Sequence, residues 1–317
     1  MIIFGPVPSR RLGRSLGINN IPAKVCSYSC VYCQLGRTIK TCIERRAFYD
    51  PEQIFKNVKE RIGEAKAKDE KIDYLTFVPD GEPTLDVNLG REMELLKALN
   101  RPIAILTNAS LLWRADVKED LLKADLVSVK IDAISEKNWR KINRPHKSLK
   151  IDEILNGIIE FSGEFKGKLI TETMLIDGLD YSDDLEKTAD FLSKIRPHKA
   201  YIAVPTRPPA ERWVKPADER VINRAFQLFS RKLGDDVVEY LIGYEGNAFA
   251  FTGNLEEDLL SITSVHPMRE EGVKELLKKA NASWGVVKNL LDKGKLVELE
   301  YEDHKYYMRK LPSRIKI

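Results

Sequence analysis

The sequence predicts an α/β protein: a partial, open (β/α)6 barrel followed by a C-terminal winged-helix domain. Three observations predict it. Short apolar runs at 74–78, 103–107, 126–131, 169–176 and 200–204 alternate with longer amphipathic stretches, the pattern of a parallel sheet covered by helices. About six such units fall between residues 16 and 204, enough to curl into a TIM-like open barrel and fewer than the eight of a closed one. From residue 253 the pattern changes to three short helices and a hairpin.

Residues 1–25 read as irregular, Gly- and Pro-punctuated backbone with one short strand at 16–18. Over 51–67, Ile54, Val58, Ile62 and Ala65 recur at helical spacing, and Pro51 stands where a helix can start. Further helices are expected at 89–99, 114–122, 151–161, 183–195 and 218–233. In the C-terminal part the expected helices are 255–263, 269–280 and 283–293, the last capped by Ser283 after a turn at 281–282. Alternation of Val297, Leu299 and Tyr301, then of Tyr306 and Met308, predicts a β-hairpin over 295–309. The expected organisation is a barrel over 1–240, a linker over 241–252 and a winged-helix-like domain over 253–317.

The chain has 317 residues, 43% of them hydrophobic, enough for one large domain with an appendage and a sizeable core. Charged residues make up 32%, and the net charge of +4 permits an anionic partner without demanding one. The N-terminus lacks the apolar core of a signal peptide, and no run of 18 apolar residues suggests a membrane span, so a cytoplasmic protein with no membrane partner is expected. Three of the four cysteines fall within eight residues. A secreted disulfide framework would spread them, whereas clustered thiols in a reducing compartment bind metal or do redox chemistry.

That cluster is Cys26-Ser-Tyr-Ser-Cys30-Val-Tyr-Cys33, a C-x3-C-x2-C spacing. Thiolates are the usual ligands of iron–sulfur clusters. With three ligands for a cubane, one iron keeps an open position, as catalytic metal sites do. The competing readings are incidental thiols or zinc. Zinc prefers paired C-x2-C knuckles or nearby His, and none of the four His residues lies near this loop. Cys42 stands outside the motif and reads as a buried free thiol rather than a fourth ligand or part of a second cluster.

The spacing, with aromatic Tyr32 before the last Cys, resembles the hallmark of the radical S-adenosylmethionine (radical SAM) superfamily. A second signal agrees: Asp80-Gly81-Glu82-Pro83-Thr84 follows the strand at 74–78 and resembles that family's Gly-Gly-Glu-Pro motif, with Asp80 in place of the first Gly. A Gly-rich turn lets backbone carbonyls approach an ammonium group, and Glu82 adds a charge-assisted acceptor. The opening residues 4–22 and Cys30-Val-Tyr-Cys33-Gln-Leu-Gly look most like stand-alone iron–sulfur oxidoreductases of that superfamily, distant relatives of wybutosine-type tRNA-modifying enzymes. The resemblance covers roughly residues 1–240 by motif order. It implies a 4Fe–4S cluster on Cys26, Cys30 and Cys33, whose free iron chelates the amino and carboxylate groups of S-adenosylmethionine. An electron then breaks the S–C5′ bond, and the 5′-deoxyadenosyl radical abstracts hydrogen from substrate. It also implies cofactor contacts from Tyr32, Gly81, Glu82, Pro83 and Asn108, and from Lys130 and Asp132 at a strand tip.

Glu172 inside an apolar strand is costly unless paired, which makes it a candidate site group. The basic segment Arg10, Arg11, Arg14 leads into the first strand, and a second run, Asn143-Arg144-Pro145-His146-Lys147, follows the fourth; either could bind an anionic substrate or be a solvated basic surface. The C-terminal part, with 12 Lys/Arg against 11 Asp/Glu, does not suggest strong nonspecific DNA binding. Three functions follow. An enzyme acting on RNA, tRNA first, predicts that the basic N-terminal segment and the winged helix share one face. An enzyme acting on a peptide or protein, including activation of a glycyl-radical enzyme, predicts a neutral groove. An iron–sulfur redox sensor that binds DNA predicts four ligands and a strongly basic recognition helix; against the three motif ligands and near-neutral helix of this sequence it ranks last. The enzymatic readings also require a reductant protein.

Overall fold

The computed structural model describes residues 2–78, 80–243, 246–247 and 249–310. Eight strands form one sheet in sequence order: β1 (Ile3–Ser9), β2 (Gly13–Ile18), β3 (Tyr74–Phe77), β4 (Ile103–Thr107), β5 (Leu126–Lys130), β6 (Lys168–Met174), β7 (Lys199–Ala203) and β8 (Val238–Leu241). β1 runs antiparallel to β2, and every later pair is parallel. The helices between them are α1 (Pro51–Ala67), α2 (Leu89–Leu96), α3 (Ala115–Leu121), α4 (Glu136–Asn143), α5 (Ile151–Glu164), α6 (Asp184–Ile195) and α7 (Glu219–Leu233). The α/β fold with a mostly parallel sheet agrees with the sequence reading.

Strand periodicity sorts side chains onto two faces. On β4, Ile103 and Ile105 join the core under the helices, while Ala104 and Leu106 join a second cluster with Leu126, Ile170, Tyr201, Ala203 and Leu241. On β5, Val127 and Val129 face the helix side with Ile103 and Ile105. Lys130 and Glu172 fall on the opposite face, two or four residues from Leu126 and Ile170, and so extend that second cluster toward the strands' C-terminal ends.

Three departures have physical causes. β1 was expected to be irregular because of Gly5, Pro6 and Pro8. It is an edge strand with a register shift between Phe4 and Val7, where missing N–H donors are tolerated. α4 was not expected; Ser135 caps it, and Trp139 and Ile142 bury its apolar side. β8 is short and half-exposed, with too weak an alternation to be read.

After residue 252 come α8 (Leu255–Val265), β9 (Met268–Arg269), α9 (Glu270–Lys279), α10 (Gly285–Asp292), β10 (Leu296–Tyr301) and β11 (His304–Arg309), with a small sheet ordered β10-β11-β9. Trp284, not Ser283, occupies the N-cap of α10. The hairpin turns on Glu302 and Asp303, both at positive φ (48° and 59°), as a two-residue hairpin turn requires. Phe4 and Val7 of β1 share one core with Phe249, Leu259, Ile262, Met268 and Tyr307, which seats these elements against the edge of the sheet. Of the unit expected over 253–317, residues 311–317 lie outside the described residues, as do 244, 245 and 248 of the expected linker. No helix among the described residues is long and apolar enough to cross a membrane.

Candidate functional site

A cleft of about 290 Å³ opens at the C-terminal ends of the parallel strands, where barrels place their chemistry. Cys26, Cys30 and Cys33 line it from the loop after β2; Gly81 and Glu82 line it after β3, Asn108 after β4, Lys130 from β5 and Glu172 from β6. Of the residues expected from sequence, Cys26, Cys30, Cys33, Tyr32, Gly81, Glu82, Asn108 and Lys130 thus meet in one cavity. Pro83 and Asp132 do not line it. Pro83 starts a short 3-10 turn behind Glu82. Asp132 is buried beneath the cysteine loop, accepting from the Tyr32 hydroxyl, from Asn143 Nδ2 at 2.7 Å and from the Met174 amide at 3.0 Å. It aligns Tyr32 and Asn143 from behind. Cys42 also stands outside the cavity, its amide bonded to the Cys26 carbonyl at 3.0 Å.

Each motif sulfur has its own N–H donor. Asn108 Nδ2 reaches Cys26 Sγ at 3.6 Å, Asn143 Nδ2 reaches Cys30 Sγ at 3.4 Å, and Lys24 Nζ reaches Cys33 Sγ at 3.4 Å. Burial pushes the Cys26 thiol up, with Cys30 and Glu82 adding to it, and burial then Asp132 pushes Cys30 up to about 12. Such thiols ionise when a cation takes them as ligands. Among the described residues, no three His, Cys, Asp or Glu side chains converge on one ion. The donor set is three cleft-lining thiols, each beside an N–H donor, which is the sulfur chemistry that an iron–sulfur cluster takes.

The turn after β3 is stitched to the cysteine loop. Lys24 N donates to the Asp80 carbonyl at 2.7 Å and Glu82 N to the Val25 carbonyl at 3.0 Å. A Cβ on Gly81 would fall 1.9 Å from the Val25 oxygen, so only glycine allows the approach. Asp80, the residue that departs from the family motif, exchanges two bonds with Asn19, at 3.0 and 3.1 Å. Glu82 is buried, and its Oε1 accepts from Thr84 N, Thr84 Oγ1 and Thr107 Oγ1, while Oε2 accepts from Asn108 N at 2.7 Å. Burial raises its carboxyl against the pull of these four donors. Glu82 therefore locks the tip of β4, and with it Asn108, onto the loop.

Lys130 and Glu172 are register partners on β5 and β6, and Lys130 Nζ donates to Glu172 Oε1 at 2.5 Å. Arg11 donates to the other oxygen of Glu172. Lys130 also sits 4.9 Å above the Tyr32 ring, and burial lowers its pKa. Glu172 is thus the paired buried carboxylate that the sequence called for. Of the basic segment, Arg10 and Arg11 line the cleft, whereas the Arg14 guanidinium turns to Glu70 and its backbone amide donates to Asp73. His146 stays outside and donates its amide to the Ser27 carbonyl at 2.8 Å.

Comparison with known proteins now decides the family. The family model of the Radical SAM superfamily matches residues 20–192, spanning both the cysteine loop and the Gly81-Glu82-Pro83 turn. The chain belongs to the radical SAM superfamily. It is an enzyme of that superfamily, whose members imply S-adenosylmethionine and a 4Fe–4S cluster. A UPF0026 protein of Methanocaldococcus jannaschii is 55% identical over 316 residues, 99% of this chain and 98% of its own length. A protein of Brachyspira hyodysenteriae named GTPase Obg is 34% identical over 292 residues, 87% of this chain, of which this chain covers 42%. Among solved structures, SuiB of Streptococcus suis bound to S-adenosylmethionine superposes with a TM-score of 0.52 at 15% identity. The match covers 71% of this chain and 49% of SuiB, and shows the shared fold.

The radical SAM motif left several site groups unread. Lys24 and Asn143, which donate to the sulfurs, belong to no motif. Gln34 and Arg207 join at 2.8 Å across the rim, and Arg207 meets His266 of the C-terminal elements at 3.0 Å. Only tertiary structure brings positions 34, 207 and 266 together.

Proposed function

We propose that Cys26, Cys30 and Cys33 hold a 4Fe–4S cluster in this cleft and that the enzyme cleaves S-adenosylmethionine reductively to abstract hydrogen from a substrate bound at the same mouth. What carries this reading is the set of three cleft-lining thiols, each with its own N–H donor, beside the Gly81–Glu82 turn. When bound, the cluster supplies the single electron that releases a 5′-deoxyadenosyl radical. The chain's own residues do the rest. Lys24, Asn108 and Asn143 direct N–H groups at the sulfurs and stabilise their negative charge. Lys130, fixed by Glu172, offers a cation to the methionine carboxylate, and Tyr32, held by Asp132, offers a ring face. Glu82 accepts from Thr84 of its own turn and from Thr107 and Asn108 at the β4 tip, so its part is to fix the turn whose backbone meets the ammonium group. A reductant protein supplies the electron.

For the substrate, an RNA, tRNA first, is the class we favour. Arg10 and Arg11 line the cleft together with Arg207, which touches His266, so the basic segment and the C-terminal elements share one rim. That rim is cationic, unlike the neutral groove expected for a peptide. The helix–strand–helix–helix–strand–strand order of the C-terminal elements supports reading them as winged-helix-like and as a substrate contact. The test is 5′-deoxyadenosine formation by anaerobically reconstituted, dithionite-reduced protein given S-adenosylmethionine and bulk tRNA. Product from the wild type and none from Cys30→Ala is expected. Equal amounts from both would overturn the reading.

A further inference from the structure

The outer side of the cysteine loop carries a feature that the cleft does not use. Gly36 N donates to the Cys33 carbonyl at 3.0 Å and Thr38 N to Ser29 Oγ at 3.0 Å, so segment 36–40 folds back over the loop. Two other segments are sewn to it. Ser29 N reaches the Asn143 and Arg144 carbonyls at 3.0 and 3.2 Å, and Glu211 N reaches the Val31 carbonyl at 3.0 Å. Glu211 lies between Arg37, at 2.6 Å, and Arg144. The segments 36–40, 144–147 and 211–213 thus form one face. Glu211 holds Arg37 and Arg144, and the same three segments also carry Lys40, Lys147 and Arg212, so five cations stand there with the single carboxylate of Glu211, a local excess as large as the net +4 of the whole chain. Lys40, Lys147 and Arg212 are exposed. Ile39, two residues beyond Arg37, is 84% exposed, and Trp213, two beyond Glu211, is 45% exposed.

We infer that this face docks a small acidic one-electron carrier protein, resting on the proposed cluster chemistry. Charge complementarity names the partner: a surface whose cations outnumber its carboxylates five to one steers an acidic protein by long-range attraction. Exposed Ile39 and Trp213 supply the apolar anchors of a protein interface, which phosphate contacts to a nucleic acid do not require. Position supplies the purpose, because the face lies on the outer backbone of the loop whose three thiols line the cleft. A carrier docked here reaches the thiolate ligands from outside and leaves the substrate mouth free. One electron passes from the reduced carrier to the cluster, the carrier leaves oxidised by one electron, and no bond forms or breaks. The interface is of the small, fast-exchanging kind typical of redox encounters.

The test uses the reconstituted full-length protein with oxidised flavodoxin as the probe, its affinity measured by calorimetry at rising salt. The expected result is binding that weakens with salt, and that falls about tenfold or more in the triple variant Lys40→Glu, Lys147→Glu, Arg212→Glu. Trp213→Ser weakens it without altering the salt dependence. Dithionite-driven 5′-deoxyadenosine formation stays at the wild-type level in both variants, which separates lost docking from lost folding. Failure of dithionite-driven cleavage in the wild type would refute the cluster chemistry, while the binding arm still decides what the face does. Unchanged flavodoxin affinity in the triple variant overturns the inference. So does a variant that keeps flavodoxin but loses a tRNA transcript, which would assign the face to nucleic acid.

Discussion

Glu92 and Asp86 sit side by side, fully buried, behind the turn that carries Glu82. Glu92 Oε2 accepts from Asn20 at 3.2 Å, and Asn20 also reaches the Pro83 carbonyl. Asp86 Oδ2 and Glu92 Oε1 find no other partner, so a proton held between the two carboxyls satisfies both. Burial and the Asp86 charge push Glu92 from an ordinary 4.5 up to about 9. Because the folded value lies above the unfolded one, the folded protein holds an extra proton between those two pH values. The stabilisation is complete below 4.5 and is lost as pH rises through about 9. Glu92→Gln keeps a donor toward Asp86 and an acceptor for Asn20 but cannot ionise. Urea unfolding at pH 6 and pH 9 should therefore show a smaller loss of stability in the variant than in the wild type; equal losses would show that this pair does not hold the proton. The sulfur donors allow a second prediction. Asn143→Ala removes the 3.4 Å contact to Cys30, so the reconstituted cluster should have a more negative reduction potential, read by redox titration monitored with electron paramagnetic resonance.

At the scale of elements, glycines mark where backbones touch. A Cβ on Gly157 of α5 would fall 2.5 Å from the Leu112 carbonyl, on backbone that cannot yield as a side-chain tip can. Gly157→Ala should cost about 1–3 kcal/mol in chemical denaturation, as overpacked sites do. Gly63 inside α1 has nothing within 4 Å of its Cβ position, so Gly63→Ala should gain about 0.5–1 kcal/mol by the same measurement. Gly81→Ala should leave the protein folded less tightly at the cysteine loop, with less iron retained after reconstitution. Elements were legible in the sequence where one apolar face was long and regular. The strands at 103–107 and 200–204 appear within a residue of their expected ends, and α1 spans the expected 51–67. β1 was not legible because Gly5, Pro6 and Pro8 suppress strand propensity, and only its place at the sheet edge permits them. The site was legible where chemistry imposes a spacing, at Cys26, Cys30, Cys33 and Gly81-Glu82. It was illegible at Lys24, Asn143, Arg207 and His266, whose roles arise from contacts between distant segments.

Across the whole molecule, the C-terminal elements are bound to the eight-stranded sheet by core and rim alike. Phe4 and Val7 bury against Leu259, Ile262 and Met268, and Tyr301 and Tyr306 donate their hydroxyls to the Pro205 and Thr206 carbonyls at 3.1 and 2.8 Å. Ending the chain at residue 252 would bare the apolar side of β1, so the truncated protein should melt at a lower temperature and aggregate, as seen by calorimetry and light scattering. A truncated protein as stable as the full chain would show the C-terminal elements to be an independent appendage. The molecule is thus organised around one mouth, with the thiols of the first loop on one side, the Lys130–Glu172–Arg11 charges on its floor, and Arg207 with His266 on its rim. The central claim is that three thiolates hold a cluster with one iron open to S-adenosylmethionine. It is tested most directly by electron paramagnetic resonance of the reduced, reconstituted protein before and after adding S-adenosylmethionine. A changed signal in the wild type, absent in Cys30→Ala, is the expected result. A signal that S-adenosylmethionine leaves unaltered would contradict an open iron and the chemistry built on it.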